Sequence, residues 1–153
     1  MARIYIAEDD ADIRSILMHS LLEEGHEVAA AKDGRSAIDA IVGDPPDVLV
    51  LDLMMPELDG FAVLEALYTR GVRDKTRVLI LSAKNSEAER VEGFEHGADL
   101  YLTKPFEHEE FVAAVTDLLE FSPEDLQELR DQEQRKAALL AQLESLFQEP
   151  GIV

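Results

Sequence analysis

Four carboxylates stand where apolar runs stop: Glu8, Asp9 and Asp10 follow Ile4-Tyr5-Ile6-Ala7, and Asp52 closes Val48-Leu49-Val50-Leu51. Short runs rich in Val, Ile and Leu read as parallel strands buried on both faces. Open α/β sheets bind ligands outside the carboxyl ends of such strands. One acid at a strand end is usually just a helix N-cap. Four acids on two ends, with Lys104 ending a third apolar stretch, ask for more. Unpaired like charges raise one another's pKa and destabilise the cluster, which a divalent cation relieves. Oxygen ligands without Cys or paired His favour Mg²⁺, which takes one or two carboxylates beside phosphate. A carboxylate can itself be the nucleophile in phosphoryl transfer, giving an aspartyl-phosphate. On this reading Asp52 is the nucleophile, Lys104 supplies a positive point charge for phosphoryl oxygens, and Ser82 offers a hydroxyl to another.

The elements that must position these groups follow from hydrophobic spacing. Strands are predicted over residues 3–7, 27–31, 47–52, 77–82 and 100–103. Between them, apolar residues recur at three- and four-residue intervals, as in Ile13, Ile16, Leu17 and Leu21, and predict helices. These run over 10–24, through Ala37, Ile38, Ile41 and Val42 between the turn at Lys32-Asp33-Gly34 and the stop at Gly43-Asp44-Pro45-Pro46, around Phe61, Leu64 and Leu67, from Ser86 to about Gly97, and over 109–120. Gly25 closes the first as a left-handed cap residue, and Ser86 with Glu89 forms a capping box for the fourth. Strands alternating with helices require a parallel sheet with right-handed crossovers and helices on both faces.

The chain has 153 residues, no Cys, and a net charge of -19 at pH 7. That length suits one domain with an appendage. The acidity disfavours phosphate backbones and anionic membranes, so no nucleic acid and no membrane are expected as partners. No stretch reaches the length of a membrane span and no leader is evident, so the cytoplasm is the expected location. His19, His26, His96 and His108 are dispersed and read as surface residues. From Ser122 onward, Ser122-Pro123-Glu124 sets an N-cap and a first-turn proline ahead of one more helix. Leu126, Leu129, Leu140, Leu143 and Phe147 share a stripe, which Glu133 and Lys136 interrupt. Three readings stay open for this tail: packing on its own domain, a dimer or partner contact, or a linker.

Taken together, Glu8-Asp9-Asp10, Asp52 with Met54-Met55-Pro56 and Asp59-Gly60, Ser82-Ala83, and Tyr101 with Lys104-Pro105-Phe106 resemble the receiver domain of two-component response regulators across residues 1–121. Residues 122–153 would form a C-terminal helical extension, and the whole looks like a stand-alone receiver. The resemblance implies a flavodoxin-like doubly wound five-stranded parallel sheet of order 2-1-3-4-5. It implies that Asp52 is phosphorylated by a sensor histidine kinase or phosphotransfer protein. Asp9 and Asp10 would organise Mg²⁺ with Asp52 and the backbone carbonyl of Met54, Asp10 and Asp52 being the direct carboxylate ligands. Lys104 and Ser82 would hold phosphoryl oxygens, and the Lys104-Pro105 bond would be cis. Ser82 and Tyr101 would switch the surface of the 86–97 helix, the fifth strand and the 109–120 helix. That surface would control a downstream protein effector or a homodimer, for which the C-terminal helix is the other candidate. The protein would then be no enzyme beyond its own phosphorylation and dephosphorylation. The rivals are a receiver-like interaction module that never takes phosphate, and a small Mg²⁺-dependent phosphohydrolase. The latter needs a second acid two residues past the nucleophile, where this chain has Met54.

Overall fold

The computed structural model describes residues 2–53, 55, 60–83 and 98–148. Five strands, β1 (Arg3–Ala7), β2 (Glu27–Ala31), β3 (Val48–Asp52), β4 (Arg77–Ser82) and β5 (Leu100–Thr103), form one sheet in the order β2-β1-β3-β4-β5. Every pairing is parallel, and the register sets Ala7 beside Leu51 and Asp52 beside Leu81. The described helices are α1 (Ala11–Glu23), α2 (Gly34–Gly43), α3 (Gly60–Thr69), α4 (His108–Glu120) and α5 (Pro123–Gln148). This is the flavodoxin-like arrangement expected. The helix predicted over 86–97, with its capping box, lies outside the described residues.

Strand alternation sorts the core into two layers. Leu49, Leu51, Val78 and Ile80 point to one face, where Ile38 and Ile41 of α2 and Leu64 and Leu67 of α3 cover them. Ile4, Ile6, Val50, Leu79 and Leu81 point to the other, beneath Leu17 and Leu21 of α1, Phe111 and Val115 of α4, and Leu126 of α5. Central β3 is buried along its whole length, which is why its sequence is a continuous apolar run and not an alternating one. Burying each such side chain contributes roughly 1.5–3 kcal/mol.

Local chemistry sets the boundaries. Gly25 has φ +87, the left-handed conformation expected for the residue that stops α1. Asp33 caps α2 by accepting from the Ser36 amide at 2.8 Å, and that bond holds its carboxyl below the usual range. β3 starts one residue later than predicted. Asp47 instead accepts from the Arg3 amide through its side chain at 2.8 Å, tying the strand entry to β1. In the tail, Ser122 caps α5 as expected: its Oγ accepts from the Asp125 amide at 3.0 Å, and Asp125 returns a bond to the Ser122 amide at 3.2 Å. Leu126 is then only 5% exposed within the receiver core, whereas Leu139, Leu143, Leu146 and Phe147 are exposed. The first turns of α5 therefore pack on the domain and its distal part does not. Among the described residues, no helix is long and apolar enough to cross a membrane.

Candidate functional site: a carboxylate cluster at the strand ends

The carboxyl ends of β1, β3, β4 and β5 bring Glu8, Asp52, Ser82 and Lys104 together. Asp52 ends β3 and is 3% exposed; Glu8, one residue beyond β1, is 1% exposed; Ser82 at the end of β4 is fully buried. Lys104, just past β5, places its Nζ 3.4 Å from Asp52 Oδ2 and 3.4 Å from Glu8 Oε2. One ammonium thus bridges two buried carboxylates. Glu8 is pushed up to about 8, first because it is buried and then because the Asp52 carboxylate lies against it; Lys104 opposes the shift only partly. Carboxylate oxygens of Glu8, Asp9 and Asp52 all lie within 4.8 Å of one another, with Asp9 on the exposed side. Once Glu8 gives up its proton, three carboxylates against one ammonium leave two negative charges uncompensated, the charge of one divalent cation. The donor set is oxygen only. The site therefore fits Mg²⁺.

The cluster departs by one position from the pair expected after the first strand. Asp10 does not join it. Its Oδ1 accepts from the amides of Asp12 at 2.9 Å and Ile13 at 3.1 Å, making it the N-cap of α1. The physical reason is that a helix start leaves unpaired N–H groups, and Asp10, the residue before α1, is the one placed to satisfy them. Glu8 and Asp9 take the cluster positions. Met54, expected to offer its carbonyl, lies outside the described residues.

Supporting contacts hold the cluster's frame. Arg14 folds back from α1 and donates to the Glu8 carbonyl at 2.9 Å, fixing the turn after β1. The Lys104 amide donates to the Ser82 carbonyl at 2.7 Å, locking the end of β5 to that of β4, and Lys104-Pro105 is cis as expected. Gly60 packs so tightly that a Cβ there would sit 2.8 Å from Leu53 Cα and 3.0 Å from the Asp52 carbonyl. The Asp59-Gly60 pair and the Lys104-Pro105 motif were the sequence signals among these; the donors on the Arg14 side chain and the Lys104 amide had none. On the same face of the sheet as Ser82, Tyr101 pairs in register with Ile80 and is half-buried against the α2/α3 layer.

A doubly wound sheet with an acidic cluster and a lysine at its carboxyl ends is the architecture of a flavodoxin-like signalling domain. The chain belongs to the response regulator receiver domain family, whose model matches residues 4–116. It is therefore the receiver domain of a response regulator in two-component signalling. The response regulator MprA of Mycobacterium tuberculosis is 46% identical over 127 residues, 82% of this chain and 54% of that protein. The chain spans about half the length of the curated relatives it matches. Among solved structures, the receiver domain of Francisella response regulator 1452 is 36% identical with a TM-score of 0.73, covering 77% of this chain and 96% of that one. Chemotaxis protein CheY4 of Vibrio cholerae is 30% identical, also with a TM-score of 0.73, covering 77% and 98%.

One expectation is overturned. The acidic charge disfavours nucleic acid as a partner, yet this fold occurs in a protein named for DNA. A LuxR-family protein of Staphylococcus aureus, 22% identical with a TM-score of 0.70, is described as a DNA-binding response regulator. DrrB, 29% identical with a TM-score of 0.70 and described as a Thermotoga maritima OmpR/PhoB homologue, is covered over only 53% of its length. The physical reason is locality: net charge governs what this domain's own surface attracts, and a receiver can act without touching DNA itself.

Proposed function

We propose that Asp52 accepts a phosphoryl group from a sensor histidine kinase or phosphotransfer protein. An Asp52 carboxylate oxygen forms the new O–P bond as the N–P bond to the donor imidazole breaks, and that imidazole departs with the bonding pair. Lys104, 3.4 Å from Asp52, is the observation that carries this reading, because a cation held there attracts the incoming phosphoryl oxygens. The Ser82 hydroxyl is read as donating to a second oxygen. Asp52 and Asp9, backed by Glu8, are read as the carboxylates that hold Mg²⁺, with Asp10 confined to its cap and the Met54 carbonyl as a further ligand. Mg²⁺ there would supply charge neutralisation for both the cluster and the transferring group.

Ser82 and Tyr101 are read as the switch. They share one sheet face, so a Ser82 drawn toward the phosphoryl group vacates space into which the Tyr101 ring can turn. For a protein of the length of its curated relatives, we read the output as directed to DNA, in place of the downstream protein effector first expected. Incubation with acetyl phosphate, or with beryllofluoride, in Mg²⁺ tests the core of this. A stable adduct on Asp52, located by mass spectrometry, is expected. Rapid multiple turnover would instead make the protein a phosphohydrolase, and no adduct would make it an inert interaction module.

A further inference from the structure

At the end of the sheet opposite Asp52 lies a second buried carboxylate that the phosphorylation chemistry does not use. Asp99, 1% exposed, immediately precedes β5. Its Oδ2 accepts from the Val78 amide at 2.8 Å and from Arg73 Nη2 at 2.9 Å. Its Oδ1 faces Arg130 of α5, whose Nε is 3.6 Å away. That Nε is buried and makes no hydrogen bond. The two arginines are unequal partners because Arg73 hydrogen-bonds Asp99 through Nη2, whereas Arg130 faces it only as an ion pair. Arg73 and the Val78 amide hold Oδ2, so the buried Asp99 charge keeps a cationic partner when Arg130 withdraws from Oδ1. From Asp99, Arg130 gains only an ion-pair attraction while its Nε forgoes water; its Nη2 donates to Gln127 Oε1 at 3.4 Å within α5. Beside it runs a cavity of about 300 Å³ lined by Thr76, Arg77 and Pro123, among others, into which a retracting guanidinium can move.

The same four-residue strand connects this contact to the phosphorylation site. Asp99 directly precedes β5 and Lys104 directly follows it. β5 is an edge strand, paired on one side only, and none of its residues is fully buried. We propose that the Arg130–Asp99 contact is a latch that reports the state of Asp52 to α5. A phosphoryl dianion on Asp52 draws Lys104 toward it, β5 shifts with Lys104, Asp99 turns away from Arg130, and the first turns of α5 loosen from the domain. The inference rests on the reading of Asp52 as phosphoacceptor. It adds that the tail helix is the element that responds.

Hydrogen exchange on the full chain, read by mass spectrometry with and without Mg²⁺ and beryllofluoride, tests it. Adduct formation is followed separately by ¹⁹F NMR. In the wild type, amides around residues 126–134 should exchange several-fold faster once the adduct forms. In Arg130→Gln they should exchange fast from the start and gain nothing further, with adduct formation unchanged, while Arg130→Lys should restore part of the dependence. An adduct that leaves α5 exchange unchanged or slower overturns the latch while sparing the phosphoacceptor reading. So does the same acceleration in Arg130→Gln as in the wild type. Absence of any adduct overturns both.

Discussion

The buried Glu8 carboxyl makes the metal-free protein's stability depend on pH in a direction opposite to that of ordinary surface carboxylates. Its pKa in the fold is about 8, against an ordinary value of 4.5. A group whose folded pKa is raised gives stability that is complete below the unfolded value and lost as pH rises through the folded one. The window is therefore pH 4.5 to 8, and within it acidification stabilises. For a single site with these two values, moving from pH 8.5 to pH 6 adds about 2–3 kcal/mol, at 1.36 kcal/mol per pKa unit. Urea denaturation in chelator at the two pH values, for wild type and for Glu8→Gln, isolates this contribution because other titrations largely cancel in the comparison. The wild type should gain about 2–3 kcal/mol more on acidification than Glu8→Gln, and the variant should be the more stable of the two at pH 8.5. Equal pH responses would refute the placement of a proton-retaining Glu8 against Asp52. Adding Mg²⁺ at pH 8.5 should stabilise the wild type by relieving the same repulsion.

Other substitutions probe the frame. Lys104→Met removes the cation between Glu8 and Asp52, and should slow phosphorylation by acetyl phosphate by about 100-fold, the scale seen for one lost electrostatic stabiliser. A rate within a factor of two of wild type would remove Lys104 from the chemistry. Gly60→Ala drives a Cβ into the Leu53 backbone at 2.8 Å, and should cost about 1–3 kcal/mol in chemical denaturation. Leu126→Ala should cost about 2–5 kcal/mol, whereas Leu143→Ala, on the exposed part of the same helix, should stay within about 0.5 kcal/mol of wild type. Equal costs for the two would contradict the packing of α5.

The sheet was legible because its strands carry no competing signal. Val48 to Leu51 and Val78 to Leu81 are runs too short for helices and too apolar for any surface, and Gly25, Gly34 and Gly43 punctuate the segments between. The gathering of acids at strand ends was legible for the same reason, since an apolar strand must stop where its charged residue begins. What could not be read was which of three consecutive acids faces inward. Glu8, Asp9 and Asp10 differ by one residue each, and the choice depends on where α1 starts, a boundary decided by the Asp10 cap. The ion pairs of Asp99 were illegible too. They join residues from a turn after α3, the entry to β5 and the tail helix, and sequence spacing carries no trace of such a meeting. The leucine stripe of the tail looked uniform, yet Leu126 is buried and Leu143 is not. Periodicity reports which residues share a face, and not how far along that face a neighbour reaches.

The burial of Leu126 bears on how this protein can be dissected. A boundary drawn after residue 121, where the strand-and-helix pattern closes, would strip a leucine from beneath β4 and a guanidinium from beside Asp99. Shortened versions ending there would change in solubility and melting behaviour for reasons unrelated to any binding partner. Deletions meant to ask what the tail does are better begun beyond Arg130, where the side chains turn to solvent and their removal leaves the interior whole.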